Sequence, residues 1–138
     1  MQDTHLEILE TFFTYMSKIL DRRGTPSPKS LVFSPTTNGQ SALELFSHGI
    51  NTLHKFSTNK FPETPPAEVL LFDLENGTPL HLQVIMNFRA ALKEFSLALK
   101  QCDDEVMSKK GEFITTLVMH TLVHCGQALR VQKQVIEN

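Results

Sequence analysis

The sequence lacks the short motifs on which most enzyme assignments rest. It contains no glycine-rich phosphate-binding loop, no nucleophile elbow, and no pair of carboxylates that helical spacing would isolate in a pocket. These absences remove phosphate-loop chemistry and triad-type hydrolysis from the expected functions. We therefore expect a protein that is not an enzyme and that needs no cofactor.

Cysteine is scarce, and neither sign of charge dominates. The two cysteines, Cys102 and Cys125, both fall within helical patterns, and the polar N-terminus does not resemble a targeting peptide. We expect reduced, buried thiols in an intracellular protein of the cytoplasm or nucleus.

The formal net charge is −2, and the basic residues are scattered along the chain. This balance does not favour nucleic acid as a direct partner.

A hydrophobic run long enough to cross a membrane is also missing. The longest apolar stretch, residues 113–129, is interrupted by threonine, histidine and glutamine. It is shorter than the ~20 residues that a spanning helix needs. The chain has 138 residues, of which 41% are hydrophobic. We therefore expect one domain over residues 1–138 with a continuous core and no membrane association.

What the sequence does contain is helical periodicity in four segments. In the first segment, apolar residues recur at steps of three and four from Leu6 to Leu20. Thr4 and Glu7 have the spacing of a capping box at its start, and Gly24 supplies an end signal. The second segment begins at Thr37 or Ser41, because both fit a capping box.

Two features in the middle of the chain carry further structural information. Gly49 lies inside the second helix, where glycine costs about 1 kcal/mol relative to alanine. We interpret it as the mark of a close helix crossing. Thr78 and Pro79 place an N-cap and a first-turn proline before the third helix.

The final helix, predicted over residues 112–135, lacks a clean polar face between Phe113 and Leu129. It should therefore be covered on more than one side, with Thr115, Thr116 and Gly126 allowing neighbouring helices to approach. After Arg130 the chain turns polar, and we expect it to leave the core. The third and last helices, joined by about nine residues, should pack as an antiparallel pair, and the first two helices could form another.

Two short apolar segments are ambiguous. Residues 31–33 either plug the core or form a strand, and residues 67–74 fit a short helix or a strand that pairs with them. The predicted fold is all-α or nearly so. It is a bundle of four to five helices or a set of armadillo- or HEAT-like helical pairs, with a small two-stranded ribbon as an open alternative. The domain either stands alone or is a fragment of a larger helical scaffold.

His120 and His124 are the weak candidates for a metal site. They are four residues apart, so they share one helix face, as pairs of metal ligands do. The soft candidates for a third ligand are His54, His81 and Cys102. Because the general-base glutamate of the protease motif is missing, the default interpretation is two histidines within a packed interface, and no metal is predicted.

The apolar residues exceed what one stripe per helix requires. We predict a surface that binds a protein partner, formed by Phe12, Phe13 and Met16 of the first helix with Val84 and Leu97 of the third. The chain would then be a non-catalytic adaptor or scaffold subunit that binds a partner helix or a second copy of itself. The alternative is a small regulatory or viral-type factor associated with nucleic acid, and an enzyme or metal-binding protein ranks third.

Three hydroxyl residues in the first connector precede prolines. Thr25, Ser27 and Ser34 could each be phosphorylated, which would add up to two negative charges and change how the loop docks. Such dipeptides are also ordinary turn formers, and the turn is the default interpretation.

Overall fold

The computed structural model describes residues 2–24, 29–58, 61, 72–75 and 77–137. The described chain forms five helices, α1 (Gln2–Gly24), α2 (Lys29–Val32), α3 (Ala42–Thr58), α4 (Leu80–Lys100) and α5 (Asp104–Glu137). No strand occurs in these ranges, so the prediction of an all-α bundle is confirmed.

The residues that can be placed do not form the two-stranded ribbon that the sequence left as an alternative. Leu31 lies in the single turn of α2, where its side chain is fully buried, and residues 72–74 are not in a strand. The rest of the second predicted segment, 67–71, lies outside the described residues. None of the described helices is both long and apolar enough to cross a membrane.

The four long helices pack around a common core in an order that differs from the chain order. Each of α1 and α3 lies between α4 and α5 and packs on both, whereas α4 and α5 share no extensive interface, nor do α1 and α3. The predicted pairing of consecutive helices is therefore wrong. Of the consecutive long helices, α1 and α3 lie diagonally across the bundle, as do α4 and α5, whereas α3 and α4 are direct neighbours.

Contacts along the helices give their directions. His5 bonds to Thr115 near the start of α1, and Arg23 donates to the Leu129 carbonyl near its end, so α1 and α5 run in the same direction. On the other side of α5, the order of the contacts is reversed along α3. Thr121 contacts Gly49, and the Phe113 ring lies 5.1 Å from the Phe56 ring. Thus α3 is antiparallel to α5.

The long connection after α3 returns the chain to the start of α4. Phe61 follows α3 and packs against Phe95 near the end of α4, with ring centroids 5.9 Å apart. At the other end, the Gln83 amide bonds to the backbone of Asp73. α3 and α4 therefore end on the same side, which makes this a bundle with a long crossover.

Large aromatic side chains fill the core. The fully buried ring of Phe88 on α4 lies 6.1 Å from the Phe12 ring and 5.4 Å from the Phe13 ring of α1. Phe46 and Phe95 are also fully buried. Burying a side chain of this size stabilises the fold by about 1.5–3 kcal/mol.

The helix starts follow their capping residues with some shifts. Ser41 and Glu44 form the predicted capping box, since the Glu44 N–H donates to the Ser41 hydroxyl (3.1 Å) and the Ser41 N–H to the Glu44 carboxylate (3.4 Å). The box predicted at Thr4 is wrong, because α1 is already helical from Gln2. Pro79 occupies the N-cap position of α4 instead of the first helical position, so this helix begins one residue later than predicted.

The last helix, α5, begins earlier in the chain than the predicted start at residue 112. It begins at Asp104, because the Asp103 carboxylate accepts the Val106 N–H (2.9 Å) and caps the first turn. Its end does not leave the core, contrary to expectation. Gln132 is fully buried and donates to the Ser30 hydroxyl of α2 (3.0 Å).

Candidate functional site

The structure divides the predicted partner-binding residues into two groups. Met16 of α1 and Val84 of α4 are fully buried, so the prediction that they bind a partner is wrong. For Met16 the reason is that α1 packs on both α4 and α5, which turns this side chain into the core. Phe12 and Phe13 are half-buried against Phe88, and the Arg89 guanidinium lies over the Phe13 ring. Leu97 is exposed on α4, away from that contact.

An open groove lies between α1 and α5. It is lined by Glu7, Ile8, Thr11, Phe12, Tyr15 and Leu122 and has a volume of about 630 Å³. Ile8 is 44% exposed and Tyr15 is 58% exposed, so two large apolar side chains face solvent on either side of Phe12. Sequence reasoning missed both residues because they lie outside the main stripe of α1. Their signal was the presence of large apolar residues on the otherwise polar face of the helix.

The two pairs of adjacent basic residues in the sequence, at positions 22–23 and 109–110, do not come together in one basic surface. Lys109 pairs with Glu105 (3.2 Å), and Lys110 donates to the Phe61 carbonyl (3.1 Å). At the end of α1, Arg23 donates to the Leu129 carbonyl (3.0 Å). These side chains are used within the chain and at separate places on the bundle.

Of the predicted phosphorylation sites, only Ser34 can be located. Thr25 and Ser27 lie outside the described residues. The exposed Ser34 hydroxyl lies 2.6 Å from the Thr36 carbonyl and 2.7 Å from the Gly39 carbonyl. It therefore holds the turn that precedes α3, and a phosphate on this oxygen would remove both contacts.

The helices α3 and α5 cross at short distance at Gly49. A Cβ atom at this position would lie 3.1 Å from the Cys125 sulfur, 3.3 Å from the His124 Cβ and 3.3 Å from the Thr121 carbonyl oxygen. The predicted close crossing is thus confirmed. By contrast, nothing lies within 4 Å of a Cβ at Gly126. The expectation that this glycine admits a neighbouring helix is wrong, because it faces away from α3.

Three histidines converge beside this crossing. The His48 ring of α3 lies 4.9 Å from the His120 ring and 4.5 Å from the His124 ring, and the two α5 rings are 4.4 Å apart. One nitrogen from each ring can be chosen so that all three lie within 4.8 Å of one another. His48 is exposed and the other two are half-buried, so the cluster opens to solvent.

The sequence predicted two members of this cluster but the wrong third residue. The spacing of His120 and His124 placed them on one face of α5, as the structure confirms. The cluster contains none of the third ligands considered from the sequence, which were His54, His81 and Cys102. The available signal was that His48 directly precedes the glycine of the helix crossing.

Burial and mutual repulsion keep the α5 histidines uncharged. Burial lowers the pKa of His120, and the nearby His124 and His48 lower it further. Burial and then His48 also lower the pKa of His124, whereas a hydrogen bond with Gln127 opposes them. Among the described residues, the Nδ1 atoms of both rings are buried without a hydrogen-bond partner. The lowered pKa values favour the neutral imidazole, which carries a nitrogen lone pair.

The nearest other candidate ligands are already used. Glu44 lies one turn before His48 on α3, but its carboxylate closes the capping box with Ser41. Cys125 is fully buried beneath Gly49, and burial raises the pKa of its thiol far above the usual range. The cluster thus offers three imidazoles and an open side towards solvent.

No protein-family model, no curated protein and no solved structure matches this chain. Its function has to be inferred from its own residues. The two features with functional chemistry are the apolar groove between α1 and α5 and the histidine cluster between α3 and α5.

Proposed function

We propose that the chain is a non-catalytic protein-interaction module whose α1–α5 groove binds an amphipathic helix of a partner protein. The observation that supports this function is the pair of exposed apolar residues, Ile8 and Tyr15, on either side of the half-buried Phe12. Covering apolar surface is favourable by roughly 25 cal/mol per Å². A groove between two packed helices also has the shape that accepts a third helix.

The groove is large enough for the apolar side chains on one face of a partner helix. Its volume of about 630 Å³ can hold two or three large apolar side chains. On a partner helix, such side chains occur at steps of three and four residues and lie on one face. Leu122 at the floor of the groove would contact the central anchor.

The charge at the groove favours a partner protein over a second copy of the chain. Glu7 is the charged residue among those that line the groove, and it is exposed. In a symmetric dimer the same patch meets itself, so two copies of this carboxylate would be brought into one small interface. A helix carrying lysine or arginine beside its apolar anchors is the better match, since opposite charges favour orientation and encounter.

A site-specific crosslink tests this proposal directly. A photoreactive benzoylphenylalanine in place of Thr11, in the groove, is expected to capture one discrete protein in the source cell. Mass spectrometry should place the crosslink in an amphipathic segment with basic residues. Capture should disappear when Ile8→Glu and Tyr15→Glu are introduced together, since both charges would be desolvated by the partner.

The matched control places the same charge on another exposed apolar residue. Met86 on α4 is 58% exposed, as Tyr15 is, so Met86→Glu should leave the crosslink intact. Equal loss of the crosslink in both variants would contradict the groove proposal. Capture of a second copy of this chain, seen also as a dimer in light scattering, would contradict the amphipathic partner.

A further inference from the structure

The histidine cluster is separate from the groove. Leu122 of α5 faces the groove with α1, whereas His120 and His124 lie against His48 of α3. We propose that His48, His120 and His124 bind a divalent late transition metal ion, with Zn²⁺ as the expected occupant. This inference does not rest on the interaction function, and each can fail without the other.

The type and number of ligands fit this class of ion. Neutral imidazole is a common ligand of Zn²⁺, and three histidines with one open position form a known zinc arrangement. Calcium and magnesium prefer oxygen ligands, which the cluster does not offer. The ligand set therefore selects among Zn²⁺, Cu²⁺ and Ni²⁺ rather than the hard cations.

The observed distances lie close to those of a bound site. A tetrahedral zinc ion with Zn–N bonds of about 2.0–2.1 Å places its nitrogens about 3.3 Å apart. The candidate nitrogens here lie within 4.8 Å of one another. Each ring then needs to move by about 1 Å, which rotation about the side-chain bonds supplies without moving a helix.

The backbone positions of the ligands are fixed by the helix crossing. His120 and His124 are one turn apart on α5, and His48 is adjacent to Gly49, where α3 and α5 are in contact. Thr121 adds a hydrogen-bond contact to the Gly49 carbonyl at 3.4 Å, within the same crossing. Ligands on rigid, closely packed helices lose little freedom on binding.

The environment of the rings favours a ligand over a purely structural histidine pair. Buried polar atoms in proteins are generally hydrogen-bonded, yet the Nδ1 atoms of His120 and His124 have no partner within the part of the chain that the structure describes. A bound cation would give the cluster a polar partner in addition to the hydrogen bond between His124 and Gln127. Exposed His48 gives the ion a route from solvent, and the fourth position is left for water.

The experiment measures Zn²⁺ binding by the full chain after removal of metal with a chelator. Titration against a chromophoric zinc indicator should show one site per chain. His48→Gln, His120→Gln and His124→Gln should each weaken the affinity by more than about 100-fold, since loss of a direct ligand exceeds the effect of losing an outer-shell partner. His54→Gln is the matched control, since His54 is also on α3 but outside the cluster; it should bind as the parent does.

Thermal unfolding supplies a second measurement on the same proteins. At free Zn²⁺ of 100 times the dissociation constant, the Tm of the parent and of His54→Gln should rise by about 10 °C. The Tm of His48→Gln should not change on adding Zn²⁺, because this variant has lost one ligand. Its circular dichroism spectrum should still show an intact helical fold, because His48 is exposed. Absence of saturable binding by the parent, or equal binding by His48→Gln and the parent, would overturn the proposal.

Discussion

Gly49 shows how one residue sets the distance between two helices. Three atoms of α5 lie 3.1–3.3 Å from the place where a Cβ would be, and one of them is the Thr121 carbonyl oxygen of the backbone. A backbone atom cannot move aside without moving its helix. The absent side chain is therefore what lets α3 bring His48 against the two histidines of α5.

Substitution of two helical glycines should have opposite effects on stability. Gly126→Ala should raise the free energy of unfolding by about 1 kcal/mol, because alanine favours the helix and the site is open. Gly49→Ala gains the same propensity but crowds the crossing, and overpacking costs about 1–3 kcal/mol. We expect it to be less stable than the parent in urea unfolding. Equal stabilisation by both substitutions would show that the crossing is not tight.

The sequence predicted which residues of one helix share a face, but not which residues of different helices come together in the candidate sites. The spacing of His120 and His124 was sufficient to place them on one face. The third histidine depends on which helix crosses α5 and at what height. The position of His48 directly before Gly49 indicates that it lies at a crossing, but it does not say which helix it meets there. In the same way, Met16 and Val84 are apolar residues like Ile8, and only the packing of α1 and α4 decides which of them is buried.

Among the helices, α3 has the best-defined start. Ser41 and Glu44 exchange hydrogen bonds at its first turn, and Ser41 is itself buried. Thr37, the alternative start, is exposed and precedes the helix by several residues. A capping sequence therefore predicts where a helix can start. Where two neighbouring segments both match the pattern, only the structure shows which of them forms the cap.

Removing the cap should weaken α3 and with it the whole bundle. Ser41→Ala is expected to lower the free energy of unfolding by about 1 kcal/mol, because a backbone donor loses its partner. Thr37→Ala provides the control and should change it by less than about 0.5 kcal/mol, as exposed substitutions do. Urea unfolding followed by circular dichroism compares them. A larger loss of stability from Thr37→Ala than from Ser41→Ala would contradict the assignment of Ser41 as the cap of α3.

Periodicity predicted the helices well and their pairing poorly. The apolar steps of three and four identified the four long helices, because a buried face repeats with the helical turn. The pairing of α4 with α5 was inferred from a short connection. The structure instead places α1 and α3 in the two grooves between them. A short loop limits the distance between helix ends but not the contact along their lengths.

For the molecule as a whole, burial of Cys125 provides a probe of cooperative opening. Its side chain is fully buried at the α3–α5 crossing, and burial strongly raises the pKa of the thiol. Cys102 is half-buried between α4 and α5; burial also raises its pKa, while Lys110 lowers it and Asp103 raises it. The two thiols should therefore differ widely in reactivity.

Labelling with a thiol reagent at pH 8 should modify Cys102 in the native protein and Cys125 only after unfolding. The reaction of Cys125 should follow the urea dependence of global unfolding, because its sulfur is fully buried and is reached by the reagent only when α3 and α5 separate. Cys102→Ser is the control and should show almost no reaction under native conditions. If Cys125 reacts at a rate that is independent of urea, the crossing opens locally instead.

The diagonal positions of α1 and α3, and of α4 and α5, have a consequence for synthesis on the ribosome. α1 packs mainly on α4 and α5, which are translated after it. Until they emerge, the apolar face of α1 has no native partner, and α3 lacks both of its neighbours. We therefore expect this segment of the nascent chain to stay without tertiary structure until α4 and α5 have left the ribosome. Its folding is then a single late event, and the earlier helices are exposed to chaperones until that point.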